Sequence, residues 1–225
     1  MKPKASRGNQ WLVKSRAGLV RYVAANLFSH GYRWYVTGNI PEHKDPHRVD
    51  EAILDKYNLR ITKWERARRK RVGWASVRYL RTGRFFLLIA TDGAHPFRTA
   101  EAETIKDARR TPLIIDDYSM NIRKQIAGSG RGIWRPSIRI KRDTYLQLRA
   151  YFLELSVHRS EDRLRRELWN IPFEPYQPVV RQLHSLLRVV NKARKRARYS
   201  QIDYEVFRYR MKPIQVFAIQ DEEER

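Results

Sequence analysis

Every fold open to this chain must accommodate 23 more positive than negative charges. Lysine and arginine number 47 against 24 aspartates and glutamates in 225 residues. Unpaired cations are almost never fully buried, and a surface of one sign repels itself until an anion relieves it. Most of the basic side chains must therefore lie outside. Hydrophobic residues still make up 42% of the chain, enough apolar surface to build a core. The longest apolar run, Phe85–Ala90, has the length of a strand, far short of the roughly 18 residues that span a bilayer. Nucleic acid, either RNA or DNA, is the expected partner, and no membrane is. Cysteine is absent, which excludes disulfides, thiolate nucleophiles and cysteine-based zinc sites. The basic N-terminus lacks the apolar core of a secretory signal, so an intracellular location is expected.

Residues 1–9 read as a flexible basic arm. Apolar positions at roughly helical spacing predict a helix over 10–29, stopped by Gly31. Aromatic and β-branched residues predict a strand over 32–40, closed by Pro41. A helix opens at Pro46, and the basic stretch 61–71 extends as another. Strands over 72–80 and 84–91 form a hairpin around Arg81-Thr82-Gly83. A helix is expected over 99–109, capped by Thr99. Extended segments 112–126 and 133–141 flank the glycine-rich loop 128–132 and predict a second hairpin. Asp143 then caps a helix to about Val157, Ser160 opens one to about Trp169, and a proline-stiffened connector over 171–178 precedes a helix over 179–198. Strand-like stretches over 204–219 precede an acidic end at 221–224.

The expected class is therefore α+β: an N-terminal antiparallel-sheet domain, open to a split β-α-β arrangement, with a helical C-terminal part. Residues 1–31 form the arm and first helix, 32–142 the nucleic-acid-binding domain, and 143–225 the helical region with its tail.

Basic clusters carry the functional expectation. Lys63, Arg66, Arg68, Arg69, Lys70 and Arg71 face one acid, Glu65, within nine residues, too few local acids for a neutralised face. The first hairpin adds Arg78, Arg81 and Arg84 beside Trp74 and Tyr79, a sheet-face platform for stacking bases; core packing is the plainer expectation for either aromatic ring alone. The second hairpin contributes Arg131, Arg135 and Arg139 around its tip. The end of the last helix carries Lys192, Arg194, Lys195, Arg196 and Arg198, more cations than the helix dipole requires.

Candidate chemistry is sparse. Asp92 and His95 follow the apolar strand, and Asp116, Asp117 and Tyr118 form a second acidic point. Carboxylates at strand ends suit a Mg²⁺-dependent nuclease, and a tyrosine suits strand transfer. Asp92-Gly93 is equally a turn pair. The loop Glu42 to His47 matches no tight metal template, and Asp45 reads as a helix cap. The chain lacks the histidine–hydrophobic–histidine triplet of relaxase-type endonucleases.

The leading expectation is a nucleic-acid-binding protein, single strands or structured RNA slightly favoured, as in a ribonucleoprotein component. The alternative is a metal-dependent nuclease or strand-transfer enzyme of a mobile element, the one case in which a cofactor, Mg²⁺, is expected. A protein partner for the C-terminal helices is a third possibility.

Overall fold

Residues 11–126, 132–158, 160–211 and 213–217 are described by the computed structural model. The expected arm at 1–9, residues 128–131 of the glycine-rich tip (Arg131 included) and the acidic end lie outside these residues.

Ser15 starts the first helix, α1 (Arg16–Tyr22), by accepting from the Gly18 amide at 3.1 Å. The helix expected over 10–29 is shorter and less regular than its periodicity suggests. It widens into a π segment at Val23–Leu27 and tightens into a 3-10 turn at Phe28–His30, ending at Gly31. Leu12 and Val13 instead form bridges, Leu12 to Arg81 and Val13 to Phe217.

The first sheet comprises β1 (Trp34–Asn39), β2 (Val77–Thr82), β3 (Phe85–Ala90) and the two-residue β4 (Lys106–Asp107). Helices α2 (Pro46–Lys56) and α3 (Lys63–Arg71) connect β1 to β2, and α4 (Pro96–Ala100) lies between β3 and β4. The spatial order is β2-β3-β1-β4 with every neighbouring pair antiparallel. This is the split β-α-β arrangement, in which each helical crossover skips one strand.

The register assigns the faces. Trp34, Val36 and Gly38 pair with Ala90, Leu88 and Phe86, which pair in turn with Val77, Tyr79 and Arg81. This face packs on Leu54 of α2, on Tyr57 just after it, and on Phe97 of α4. Gly38 is required here, since a Cβ would meet the Phe86 ring at 2.7 Å. On the opposite face Leu80, Leu87 and Ile89 are also buried, and Arg16 of α1 stacks over Phe85 at 4.3 Å. A sheet covered on both faces offers no open platform for bases, which corrects the stacking surface expected there. Tyr79 is a core residue.

Two further expectations change. The strand expected from residue 72 begins at Val77, because the chain turns through Gly73 and bridges Trp74 to Ala94. The helix expected over 99–109 ends at Ala100 and is capped by His95, whose Nδ1 accepts from the Phe97 amide at 3.1 Å. Lys106 and Asp107 instead pair with β1, and the Ala108 amide donates to Arg33 O at 2.9 Å. Backbone pairing at an open sheet edge outweighs a weak helix preference. At the other edge Arg81 exchanges backbone hydrogen bonds with Trp11 and Val13 at 2.8 and 2.7 Å.

Beneath the helix-covered face Asp50 of α2 accepts from Arg81 Nε at 2.7 and 2.9 Å and from the Tyr79 hydroxyl at 2.6 Å. Arg81 also donates to Gly83 O at 2.7 Å. A buried carboxylate with this many donors is a satisfied network.

A second sheet has the order β5-β6-β7, formed by β5 (Leu113–Ile115), β6 (Tyr118–Ile126) and β7 (Gly132–Ile140). Pro136 sits in β7, an edge strand, where a missing donor is tolerated. Helices α5 (Arg142–His158), α6 (Glu161–Trp169) and α7 (Gln177–Arg196) follow, α5 packing on α7. Asp143, expected as the cap of α5, lies in its first turn, because the helix already begins at Arg142. Among the described residues the tail has, in place of strands, a 3-10 turn at Tyr204–Val206 and a bridge at Phe217.

The fold is thus α+β, with an N-terminal antiparallel sheet and C-terminal helices. It forms two compact units: residues 1–113, 121–136 and 214–225 in one, 114–120 and 137–213 in the other. The division expected at residue 142 falls inside the second. Among the described residues no helix is long and apolar enough to cross a membrane.

Asp50→Ala should cost about 3–5 kcal/mol in chemical denaturation, since it strands a buried guanidinium. Leu88→Ala should cost about 2–5 kcal/mol through the cavity it opens.

Candidate nucleic-acid interface

The candidate surface lies where β1 starts and β3 ends, in the first unit. Arg33 and Trp34 enter β1, and Asp92 follows β3. The Asp92 carboxylate accepts from Trp34 Nε1 at 2.8 Å and from Arg33 Nε and Nη2 at 3.0 and 2.8 Å. Arg33 reaches Asp107 with its other amino group at 2.9 Å. Partial burial pushes the Asp92 carboxyl up, but the Trp34 and Arg33 hydrogen bonds hold it below the usual carboxylate range. Asp92 therefore fixes the Trp34 ring and the Arg33 fork in place.

On this ring lie two guanidiniums, Arg98 at 4.2 Å and Arg33 at 4.5 Å from its centroid. A third, Arg109, stacks on Trp134 of β7 at 4.2 Å, and its charge also acts on Asp92. A guanidinium over an indole ring gains a cation–π attraction that holds it in place. Among the described residues neither Arg98 nor Arg109 makes an ion pair. Trp134 is 43% exposed. Around it, residues 123–126 and 133–135 are solvent-exposed, so both faces of this end of the hairpin are open and carry Arg123, Lys124 and Arg135.

Helix α3 adds a second basic surface to the same unit. Thr62 caps it by accepting from the Glu65 amide at 3.1 Å, and Glu65 pairs with Arg69 at 2.7 Å. None of its described side chains is buried. Such a helix rests on its caps and local pairs rather than on an apolar face. Trp64 is 83% exposed, and Arg68, Lys70 and Arg71 stand in solvent. Arg66 is half-buried and bonded to Ile61 O at 3.3 Å; burial and the nearby Arg78 charge lower its pKa. Lys63 lies in the first turn.

Other expected contacts are placed differently. Arg81 is 6% exposed and bound to Asp50, so the core, not the surface, holds it. Arg84 clamps the loop after β1, donating to Pro41 O at 2.7 Å and Glu42 O at 3.0 Å. In the second unit Arg194 is 2% exposed and donates to Ser200 O at 2.6 Å and Ser156 O at 3.1 Å. It ties the end of α7 to α5 and leaves the surface set. Lys192, Lys195, Arg196 and Arg198 remain exposed there, and Arg139 is exposed on β7.

The residues weighed for chemistry are divided between the two units. Asp92 and His95 belong to the first unit, Asp116, Asp117 and Tyr118 to the second. Asp92 is bound by Arg33 and Trp34, and His95 caps α4. Asp116 and Asp117 make the turn between β5 and β6, Asp116 at φ 48° and Asp117 accepting from the Thr144 hydroxyl at 2.7 Å. The Tyr118 hydroxyl accepts from the Glu174 amide at 2.9 Å, and burial pushes its pKa up to about 12. A tyrosine so placed is a poor nucleophile. Asp45 caps α2 through the His47 amide at 2.9 Å, as its position in the sequence suggests. Among the described residues no three His, Asp or Glu side chains converge as a metal-binding group.

Sequence reasoning missed Arg33, Trp34, Arg98, Arg109 and Trp134, which come from four distant segments. The adjacent Arg33-Trp34 at a strand start was the one local signal. Comparison with family models, curated proteins and solved structures finds no match to this chain.

Burial first, and then the Arg69 charge, lower the His95 pKa below its ordinary 6.5. The unfolded chain therefore takes up this proton first, and stability should fall as pH drops from about 6.5 through the folded value. His95→Asn keeps a capping side chain and should flatten that decline in pH-dependent melting curves.

Proposed function

We propose that this protein binds nucleic acid through the first unit, with the guanidinium–indole stacks and the exposed face of α3 contacting the phosphate backbone. The observation that carries this reading is the pair of guanidiniums, Arg98 and Arg109, held on tryptophan rings and in no ion pair among the described residues. An arginine needed only for solubility has no reason to be immobilised this way. Stacking removes side-chain entropy before a ligand arrives, which lowers the cost of ordering on binding. The excess of 23 positive charges supplies the long-range attraction.

Helix α3 supports the same reading. Arg68, Lys70 and Arg71 are exposed, and its one acid already pairs with Arg69. The exposed cations at the end of α7 extend the basic character to the second unit.

Binding measured by fluorescence anisotropy should weaken steeply with salt. The log–log slope should be about −0.9 per neutralised phosphate on duplex DNA and about −0.7 on single strands. Replacing Arg68, Lys70 and Arg71 together by Ala should weaken binding and make that slope shallower. The melting temperature should barely move, since these side chains are exposed. A flat salt dependence, or wild-type affinity in the triple variant, overturns the proposal.

A further inference from the structure

The loop Asp92 to Ala100 and the turn at Trp74 enclose an open groove of about 820 Å³, lined by Trp74, Gly93, His95, Pro96, Arg98 and Ala100. It has the size of a small-molecule site, about 300–1,000 Å³. Its construction is specific. The Ala75 amide donates to Ala94 O at 3.0 Å, and the Ala94 amide to Gly73 O at 3.1 Å, so the two segments form a short bridge. Gly93 has φ +125°, and a Cβ there would lie 2.6 Å from Ala75 N and Gly73 O; only glycine permits the approach. The bridge holds Trp74 outside the core at 41% exposure, with its ring set edge-to-face against His95 at 6.2 Å.

A large aromatic side chain kept out of the core by a tight backbone bridge gains little from folding. Its surroundings describe its occupant. Gly93, Ala94, Pro96 and Ala100 give apolar walls, and His95 adds a second ring. Arg98 reaches the groove while stacked on Trp34, and the Arg69 charge acts on His95 from the side of α3. Apolar walls, an exposed indole and flanking cations match a planar base with its phosphate. The bases of a duplex are stacked on one another and present no face, so the matching ligand is an unpaired base.

The geometry points to this groove as the slot for one unpaired nucleobase of a single-stranded nucleic acid, stacked on Trp74 with its phosphate on Arg98. This rests on the nucleic-acid reading above and adds which strand form the first unit selects. The ring face supplies affinity without reading sequence, because every base has a π face.

The test compares a short single-stranded oligonucleotide carrying one 2-aminopurine with a hairpin duplex of the same length, bound to the full chain. Trp74→Ala should weaken single-strand binding by about 5- to 100-fold, in the range of losing one stacked base. It should also abolish the quenching of 2-aminopurine and leave duplex binding nearly unchanged. Trp74→Phe should retain most of both signals. Ala100→Leu, which narrows the groove without touching Trp74, should repeat the Trp74→Ala result, and so guards against a local folding effect. Unchanged single-strand affinity and quenching in Trp74→Ala and Ala100→Leu overturns the groove assignment while leaving the basic-surface reading intact. If neither oligonucleotide binds the wild type, both fall.

Discussion

The Asp50 carboxylate determines how helix and sheet meet in the first unit. It lies beneath α2, takes both of its strongest donors from β2, and leaves Arg81 no route to solvent. A buried ion pair of this kind contributes little net stability over an apolar equivalent, but a broken one is very costly. Its effect is on arrangement: β2 can face α2 in only one register, the one that places Arg81 over Asp50. That register puts Tyr79 and Val77 in the core and the turn at Trp74 beside the loop after β3. The placement of the candidate interface follows from it.

Three ways of handling a cation recur through the chain. Arg81 and Arg194 are buried and satisfied by carboxylate or carbonyl oxygens. Arg33, Arg98 and Arg109 are stacked on indole rings, half in and half out of solvent. Arg68, Lys70, Arg71, Lys195 and Arg196 are simply exposed. The first kind serves the fold directly, and so does Arg33, which joins Asp92 to Asp107. In the proposed reading the stacked kind makes contact at the surface, and the exposed kind supplies field. A formal charge of +23 describes their sum without distinguishing them.

A single aspartate illustrates how tertiary partners change the reading of a residue. Asp92, at the end of an apolar strand, suits a metal-dependent nuclease when read alone. Its carboxylate instead accepts three hydrogen bonds from Arg33 and Trp34, so its negative charge orients the cations around it. His95 beside it is turned inward to cap α4. Both residues thus shape the basic surface from beneath.

Much of the architecture was legible in the sequence because it depends on local rules. Periodicity and turn chemistry mark β1, the β2–β3 hairpin, the second hairpin and the three C-terminal helices; Ser160 and Asp45 are caps by residue type. The charge balance alone points to an anionic partner. The departures have one physical cause, long-range pairing that no local window contains. The partner strand β1 drew Lys106 and Asp107 out of a helix, and the bridge to Ala94 pulled Trp74 out of a strand. A buried aspartate 31 residues away drew Arg81 inside, and helices on both faces closed the sheet to bases. The sequence determined how many cations and aromatic rings the protein has. Tertiary structure alone decided which guanidinium meets which ring, because stacking needs side chains from segments that only the sheet brings within about 4 Å.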